Sequence, residues 1–127
     1  MAGELILIIE DNEKNRKLVR DVLQVKGYKT IDSETAEEGL KLALEKSPGL
    51  ILMDIQLPGI DGITALKQLR ANINTKDIPV IAITASAMTH NRQTMLAEGF
   101  DGYQTKPITL KDFLEEVRRV LAAGGKP

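Results

Sequence analysis

Cysteine is absent from the sequence, so disulfide bonds, thiolate catalysis and cysteine-ligated zinc sites are excluded. The single histidine, His90, likewise rules out a metal site in which one chain supplies several imidazole ligands. Tryptophan is also missing, and two tyrosines and two phenylalanines are the only aromatic residues, so the core must be aliphatic. The functional chemistry that remains is carried by carboxylates, hydroxyls and amines.

An excess of charge of one sign is also lacking, since 17 basic residues face 18 acidic ones and the net charge is -1. No basic run is longer than the pair Arg118-Arg119. Direct nucleic-acid binding and binding to anionic membranes are therefore poorly supported, because both depend on concentrated positive charge. The start of the chain has no basic segment, and the apolar run that follows it is too short for a signal peptide or a membrane span. We expect a soluble, cytoplasmic protein.

The length of 127 residues suits one domain, which can bury roughly two-thirds of the surface of its unfolded chain. We expect this single domain to cover residues 1–127, with a core at about 4–122 and a short flexible tail at 123–127.

Three short apolar runs, at residues 5–9, 50–53 and 80–83, have the pattern of strands buried on both faces of a parallel sheet. The mixed segments 28–31 and 103–105 are predicted to be half-exposed strands at its edges. Apolar residues at helical spacing fill the gaps between the strands, and residues 88–98 are interpreted as the fourth helix. Five strands alternating with five helices predict an α/β, doubly wound (βα)5 flavodoxin-like fold, with a parallel sheet of order 2-1-3-4-5 and helices on both faces.

Polar side chains follow four of these strands. Glu10 and Asp11 follow the first strand, Asp54 the third, Thr84 the fourth and Lys106 the fifth. Because ligands of doubly wound sheets bind beyond the carboxyl ends of the strands, we expect the five side chains to converge on one site.

Three carboxylates in one place raise each other's pKa unless a cation joins them. Asp11 and Asp54, with Glu10 acting through water, would supply hard oxygen ligands, which favour Mg2+, or Mn2+ as the alternative, over zinc. Acids that follow strands can instead cap the next helix, and Asp11-Asn12 would suit that role. A metal site is the preferred interpretation.

Asp54, Thr84 and Lys106 each have a functional and a structural interpretation. A carboxylate beside a divalent cation can attack phosphorus, so Asp54 is either a nucleophile or only a ligand. Lys106 would pair with a phosphoryl oxygen or, at rest, with Asp54, and Thr84 would donate to the same phosphoryl group or cap the next helix. Tyr103 is explained by edge-strand packing and His90 by an exposed position at a helix start.

Four pieces of the sequence resemble the receiver domains of bacterial two-component response regulators, over residues 5 to 121. They are Ile-Glu-Asp-Asn at 9–12, Leu-Met-Asp-Ile-Gln-Leu-Pro-Gly-Ile-Asp-Gly at 52–62, Ile-Thr-Ala at 83–85 and Lys-Pro at 106–107. Any one of them is weak, but their order and spacing together are highly specific.

The resemblance implies that Asp54 accepts a phosphoryl group from the phosphohistidine of a sensor histidine kinase or phosphotransfer protein. It implies that Mg2+ is held by Glu10, Asp11, Asp54 and the backbone carbonyl of Gln56. The chain would then be a phosphoacceptor that assists its own phosphorylation and autodephosphorylation, not an enzyme acting on other substrates.

The resemblance also implies that Thr84 and Lys106 contact the phosphoryl group and that Tyr103 occupies the aromatic switch position. A downstream protein partner would bind the face made by the fourth helix, fifth strand and fifth helix. We expect a monomer, with dimerisation on activation as the alternative. The family often has a cis bond at the position of Lys106-Pro107, and the residues that tune phosphoryl lifetime, here Gln56 and Ser86, vary.

Three alternatives stay open at this point. The pattern is similar to stand-alone receivers of the DivK type, but a receiver excised from a larger regulator or hybrid kinase would look the same. A haloacid-dehalogenase-like phosphatase would need an acid two residues after Asp54, where Gln56 stands. A pure binding module would keep the fold without phosphorylation or Mg2+ affinity.

Overall fold

Five strands and five helices alternate along the computed structural model, which describes residues 3–124. The strands are β1 (Leu5–Ile9), β2 (Lys29–Ser33), β3 (Leu50–Asp54), β4 (Val80–Thr84) and β5 (Gly102–Thr105). The helices are α1 (Glu13–Val25), α2 (Ala36–Lys46), α3 (Gly62–Ala71), α4 (Arg92–Glu98) and α5 (Leu110–Gly124). Within residues 3–124, no helix is long and apolar enough to cross a membrane.

The sheet has the predicted order β2-β1-β3-β4-β5, and every pairing in it is parallel. Leu7 of β1, for example, lies between Ile31 of β2 and Ile51 of β3. Because all strands run in one direction, their carboxyl ends meet at one edge of the sheet, and this edge carries the predicted site.

The core has two apolar layers, one on each face of the sheet. Successive side chains of a strand point to opposite faces, so Leu7 and Ile9 join the layer under α2, α3 and α4, whereas Ile6 and Ile8 join the layer under α1 and α5. Helices therefore cover both faces, and this is why β1, β3 and β4 are continuously apolar.

The two edge strands differ in exposure. β2 is mostly half-buried, as predicted, but most of β5 is buried, and Tyr103 is only 6% exposed. The prediction of a half-exposed β5 was therefore wrong, because α4 and α5 both pack against this strand.

The fourth helix is shorter than predicted, since α4 begins at Arg92 and not near Met88. The Asn91 side chain accepts the N–H of Thr94 at 2.8 Å and so caps the helix at that point. Met88 lies in the preceding turn and is 96% exposed. At the other end of the chain, α5 continues to Gly124, into the predicted tail, and residues 125–127 lie outside the described part.

Gly62, at the start of α3, holds the loop after β3 close to the helix. A Cβ there would lie 2.7 Å from the Asp54 carbonyl oxygen and 2.8 Å from the Ile55 Cα. We expect Gly62→Ala to lower the free energy of unfolding by about 1–3 kcal/mol in urea denaturation, because backbone atoms must move to admit the methyl group.

Gly49→Ala is the matched control, since its Cβ would meet no atom closer than 3.8 Å. Alanine there should leave stability unchanged or raise it slightly, because it restricts the unfolded chain. Equal stabilities of the two variants would contradict a close contact at Gly62.

Candidate functional site

Asp54 is the last residue of β3, and its carboxylate is buried. Oδ1 accepts the backbone N–H of Gln56 at 3.0 Å, and Oδ2 accepts the ammonium of Lys106 at 3.0 Å. One bond comes from the loop that follows β3 and the other from the end of β5. The two oxygens are therefore held in a defined orientation at the carboxyl edge of the sheet.

Glu10 directly follows β1 and shares the same ammonium. Its Oε1 lies 2.9 Å from Lys106 Nζ, and its Oε2 accepts the N–H of Asn12 at 3.0 Å. Lys106 is itself anchored, because its backbone N–H donates to the Thr84 carbonyl at 2.8 Å. The predicted resting pair of Lys106 with Asp54 is present, and Glu10 makes it a three-membered contact. The Lys106-Pro107 bond is cis.

The ionisation of this cluster is uneven. Burial raises the pKa of Glu10, and the hydrogen bond from Lys106 offsets only part of that effect. Burial alone would lower the pKa of Lys106, but hydrogen bonds to Glu10 and Asp54 outweigh it and raise the pKa. Both pKa values rise, but the rise favours the charged form of Lys106 and disfavours the charged form of Glu10, because the ammonium has two anionic partners whereas Glu10 shares one cation with Asp54. The charged form of Lys106 is therefore favoured, whereas the carboxylates have too little positive charge beside them to balance their own.

A divalent cation fits this deficit. Glu10, Asp11 and Asp54 each offer a carboxylate oxygen, and the three oxygens lie within 4.8 Å of one another. Three carboxylates and one ammonium leave two negative charges beside exposed Asp11, where water has access. Oxygen ligands with room for water suit Mg2+. Asn12 caps α1 by accepting the Asn15 N–H at 3.0 Å, so the second residue of the pair Asp11-Asn12 has the capping role and Asp11 remains a candidate ligand.

Thr84 ends β4, and its hydroxyl is fully buried. Oγ1 accepts the backbone N–H of Ser86 at 3.0 Å and lies 3.5 Å from Nδ1 of His90. The side chain thus closes the turn directly after the strand and does not cap α4, which begins further along at Arg92.

Tyr103 lies in β5 with its ring inside the protein. Its hydroxyl donates to the main-chain carbonyl of His90 at 2.7 Å, and the Arg92 guanidinium lies 5.4 Å from the ring centroid. Burial raises the pKa of Tyr103, and the charge of Arg92 opposes the rise. The ring is already buried with Asp54 unmodified, which agrees with the packing interpretation of Tyr103.

Two contacts at the site were missed from the sequence. The Gln56 amide oxygen accepts the Ala85 N–H at 3.3 Å and joins the loops after β3 and β4. His90, interpreted as an exposed residue without a role, is half-buried and touches both Thr84 and Tyr103. No spacing rule connects these residues, because the contacts exist only once the two loops and β5 lie side by side.

The fold and the site together define the class of protein. It is a doubly wound α/β domain with three acids, a threonine and a lysine at the carboxyl edge of its sheet. The sequence profile described as "Response regulator receiver domain" matches residues 6–118, and the chain belongs to this family. Receiver domains belong to two-component signalling, in which they interact with histidine kinases and with downstream partners.

Within the family, the chain is similar to the polar-differentiation response regulator DivK of Brucella ovis. The two are 42% identical over 116 residues, which are 91% of this chain and 94% of that protein. A crystal structure of the receiver domain of a Pseudomonas aeruginosa sensor histidine kinase, with a magnesium ion coordinated in its active site cleft, has a TM-score of 0.87 and 30% identity. It covers 95% of this chain and 99% of that one. A CheY-like receiver from Methanospirillum hungatei also has a TM-score of 0.87, with 28% identity and 97% coverage of both chains.

Mg2+ should stabilise the fold if the three acids bind it. The free energy of unfolding should rise by about 2.7 kcal/mol when the free Mg2+ concentration is about 100 times Kd. Thermal melts at increasing Mg2+ would measure the rise, and Asp11→Asn should reduce it by removing an exposed ligand charge.

Asp21→Asn is the control, since Asp21 is an exposed acid of α1 paired with Lys17 and lies outside the cluster. It should leave the Mg2+-dependent rise intact. If Asp21→Asn and Asp11→Asn reduced the Mg2+-dependent rise equally, the cation would have to bind elsewhere.

Removing the shared ammonium should expose the cost of the buried acids. Lys106→Met should lower the free energy of unfolding by about 2 kcal/mol near pH 7, because Glu10 and Asp54 lose their cation. Without the ammonium, the pKa of Glu10 in the folded variant rises further above its ordinary value of 4.5, so the variant should regain stability relative to the wild type as the pH falls from 7 toward about 4.5. Urea denaturation at several pH values measures this.

Lys17→Met provides the comparison, because Lys17 also pairs with an aspartate but is exposed. It should change stability little at any pH. Mg2+ should restore part of the loss in Lys106→Met, and a loss that neither acid nor Mg2+ reduces would argue against unpaired carboxylates as its cause.

Proposed function

We propose that the chain is a phosphorylation-dependent switch in which Asp54 accepts a phosphoryl group from the phosphohistidine of a histidine kinase or phosphotransfer protein. The observation that carries this proposal is the buried Asp54 carboxylate, oriented by Gln56 and Lys106 and flanked by Glu10 and Asp11. A structural ion pair would not need the two further acids.

In the proposed reaction, one carboxylate oxygen of Asp54 forms an O–P bond as the N–P bond of phosphohistidine breaks. The departing imidazole keeps the bonding electrons and takes up a proton. Glu10, Asp11, Asp54 and the Gln56 carbonyl would hold Mg2+, which neutralises the phosphoryl oxygens when bound. The N–H of Gln56 keeps one Asp54 oxygen fixed, so that the carboxylate presents a constant face.

Lys106 and Thr84 supply the remaining contacts. The ammonium already lies 3.0 Å from Asp54, so it needs only a small movement to pair with a phosphoryl oxygen. The Thr84 hydroxyl stands at the end of the neighbouring strand and would donate to another phosphoryl oxygen. Drawing Thr84 toward Asp54 changes its contacts in the loop after β4, and the local change is thereby passed to the surface.

The proposed output surface is the face formed by α4, β5 and α5. A groove of about 420 Å³ lies on it, and its lining includes Arg92, Tyr103, Glu116 and Arg119. Glu116 accepts the Tyr103 N–H at 2.7 Å and pairs with Arg119 at 2.9 Å and with Arg92 at 3.4 Å. Because the Tyr103 ring is already buried, we propose that the switch changes its hydroxyl partner and the position of Arg92, which a downstream protein then detects.

We propose signalling through bound proteins and not through direct nucleic-acid contact, in keeping with the balanced charge. We propose a monomer at rest, with dimerisation on activation as the alternative. The similarity to a receiver within a sensor histidine kinase leaves two alternatives open, a stand-alone receiver and a receiver excised from a larger regulator or hybrid kinase.

The chain is proposed not to be a phosphatase for external phosphoesters. Such an enzyme needs a general acid or base beside the acyl phosphate, and the side chain two residues after Asp54 is the Gln56 amide. An amide is neither a general acid nor a general base near neutral pH, and its oxygen accepts the Ala85 N–H. Asp54 would therefore be phosphorylated, and its phosphoryl group would be released without fast turnover of external phosphoesters.

Incubation with Mg2+ and a small acyl phosphate should add one phosphoryl group, seen by intact-protein mass spectrometry. Asp54→Asn should abolish the addition because its amide is not a nucleophile, and removal of Mg2+ with a chelator should do the same. Asp21→Asn, at the exposed pair on α1, should be phosphorylated like the wild type.

A phosphoryl group that persists on the Asp54→Asn variant would remove Asp54 as the acceptor. Phosphate release from an added phosphoester should stay near the uncatalysed rate. Fast, Mg2+-dependent release would instead establish the phosphatase alternative, and failure of any phosphorylation together with unchanged stability in Mg2+ would establish the pure binding module.

A further inference from the structure

The buried hydroxyl of Thr84 has a proton that needs an acceptor. Its oxygen accepts the N–H of Ser86 at 3.0 Å, but this bond uses only a lone pair. Buried hydroxyls rarely leave their proton unpaired, because the loss of hydrogen bonding to water is then not replaced. Among residues 3–124, the neighbouring atom that can accept this proton is Nδ1 of His90, at 3.5 Å.

His90 also holds Tyr103, through a different part of the residue. Its main-chain carbonyl accepts the Tyr103 hydroxyl at 2.7 Å. One residue in the loop between β4 and α4 therefore contacts both Thr84 and Tyr103, with its ring on the first and its backbone on the second. The ring can accept from Thr84 only when Nδ1 carries no proton, which places the proton of the neutral imidazole on Nε2.

We propose that His90 is a positioning residue that holds Thr84 and Tyr103 in the resting arrangement of the switch. This inference rests on the proposed function, because it concerns the release of Thr84 to a phosphoryl group on Asp54. A single hydroxyl proton cannot go to His90 and to the phosphoryl group at once. The bond to His90 therefore opposes phosphoryl binding, and its loss favours the activated arrangement.

The bond can be tested without any phosphoryl chemistry. The chain has one histidine, so side-chain 15N signals in a 1H–15N spectrum belong to His90 without ambiguity. At about pH 8, where imidazoles are neutral, Nδ1 should have the shift of an unprotonated nitrogen. Thr84→Val keeps the shape of the side chain without the hydroxyl and should shift the Nδ1 signal and the tautomer balance. A protonated Nδ1 in the wild type, or no response to Thr84→Val, would overturn the proposal.

The effect on the switch is measured with Mg2+ and beryllofluoride as the phosphoryl probe. At about pH 8, His90→Leu should bind the probe about twofold to tenfold more tightly, the range expected from one hydrogen bond. His90→Gln supplies an amide acceptor again and should return the affinity toward the wild type.

A double-mutant cycle separates positioning from general destabilisation. In the Thr84→Val background, His90→Leu should have no further effect on probe binding, because the hydroxyl is gone. An equal gain in both backgrounds would overturn the proposal. If His90→Leu fails to fold, the response of the His90 Nδ1 signal to Thr84→Val decides whether the bond exists.

Failure of this inference differs from failure of the proposed function. Probe binding that is absent from the wild type, or that survives in Asp54→Asn, would refute the proposed function, and the 15N signals would still decide the Thr84–His90 bond. Binding that depends on Asp54 but is unaffected by His90→Leu would refute only the role of His90.

Discussion

Two buried carboxylates share one ammonium at the carboxyl edge of the sheet, and the rest of the site depends on this contact. Lys106 joins Glu10, at the end of β1, to Asp54, at the end of β3, from its own place after β5. The three positions are distant in the chain and meet because all the strands are parallel. One cation for two buried anions, with Asp11 beside them, leaves the deficit of positive charge that makes a divalent ion a fitting partner.

A second set of contacts leads from this edge to the surface. Thr84 touches the His90 ring, the His90 carbonyl holds Tyr103, and Arg92 lies over the Tyr103 ring and pairs with Glu116. Each step is a hydrogen bond or a charge contact at the ends of β4 and β5, in the loop after β4 or on α4 and α5, whereas the apolar layers lie between the sheet and the helices. A change at Asp54 can therefore reach the α4–β5–α5 face while the core stays packed, which is the physical basis of the proposed switch.

Local patterns predicted most of the fold because each reflects a local cause. The apolar runs of β1, β3 and β4 reflect burial on both faces of the sheet, and the polar residues that end them mark the edge where ligands bind. Patterns were wrong where a neighbour decided the outcome. Helices α4 and α5 bury β5 despite its polar residues, and the Asn91 cap delays α4 beyond the start that Met88 suggested. Asn12 caps α1, and the sequence could not decide between it and the adjacent Asp11 because both residue types are common at this position.

The sequence by itself determined the strand order, the family and the convergence of Glu10, Asp11, Asp54, Thr84 and Lys106, because parallel strands carry whatever follows them to a common edge. Only the tertiary structure decided how those groups pair. It gave Lys106 two acids to neutralise, buried Tyr103 in the resting protein and brought His90 between Thr84 and Tyr103. Hydrogen bonds and ion pairs depend on distances of a few ångströms between segments far apart in the chain, and such distances are set when loops and helices pack together.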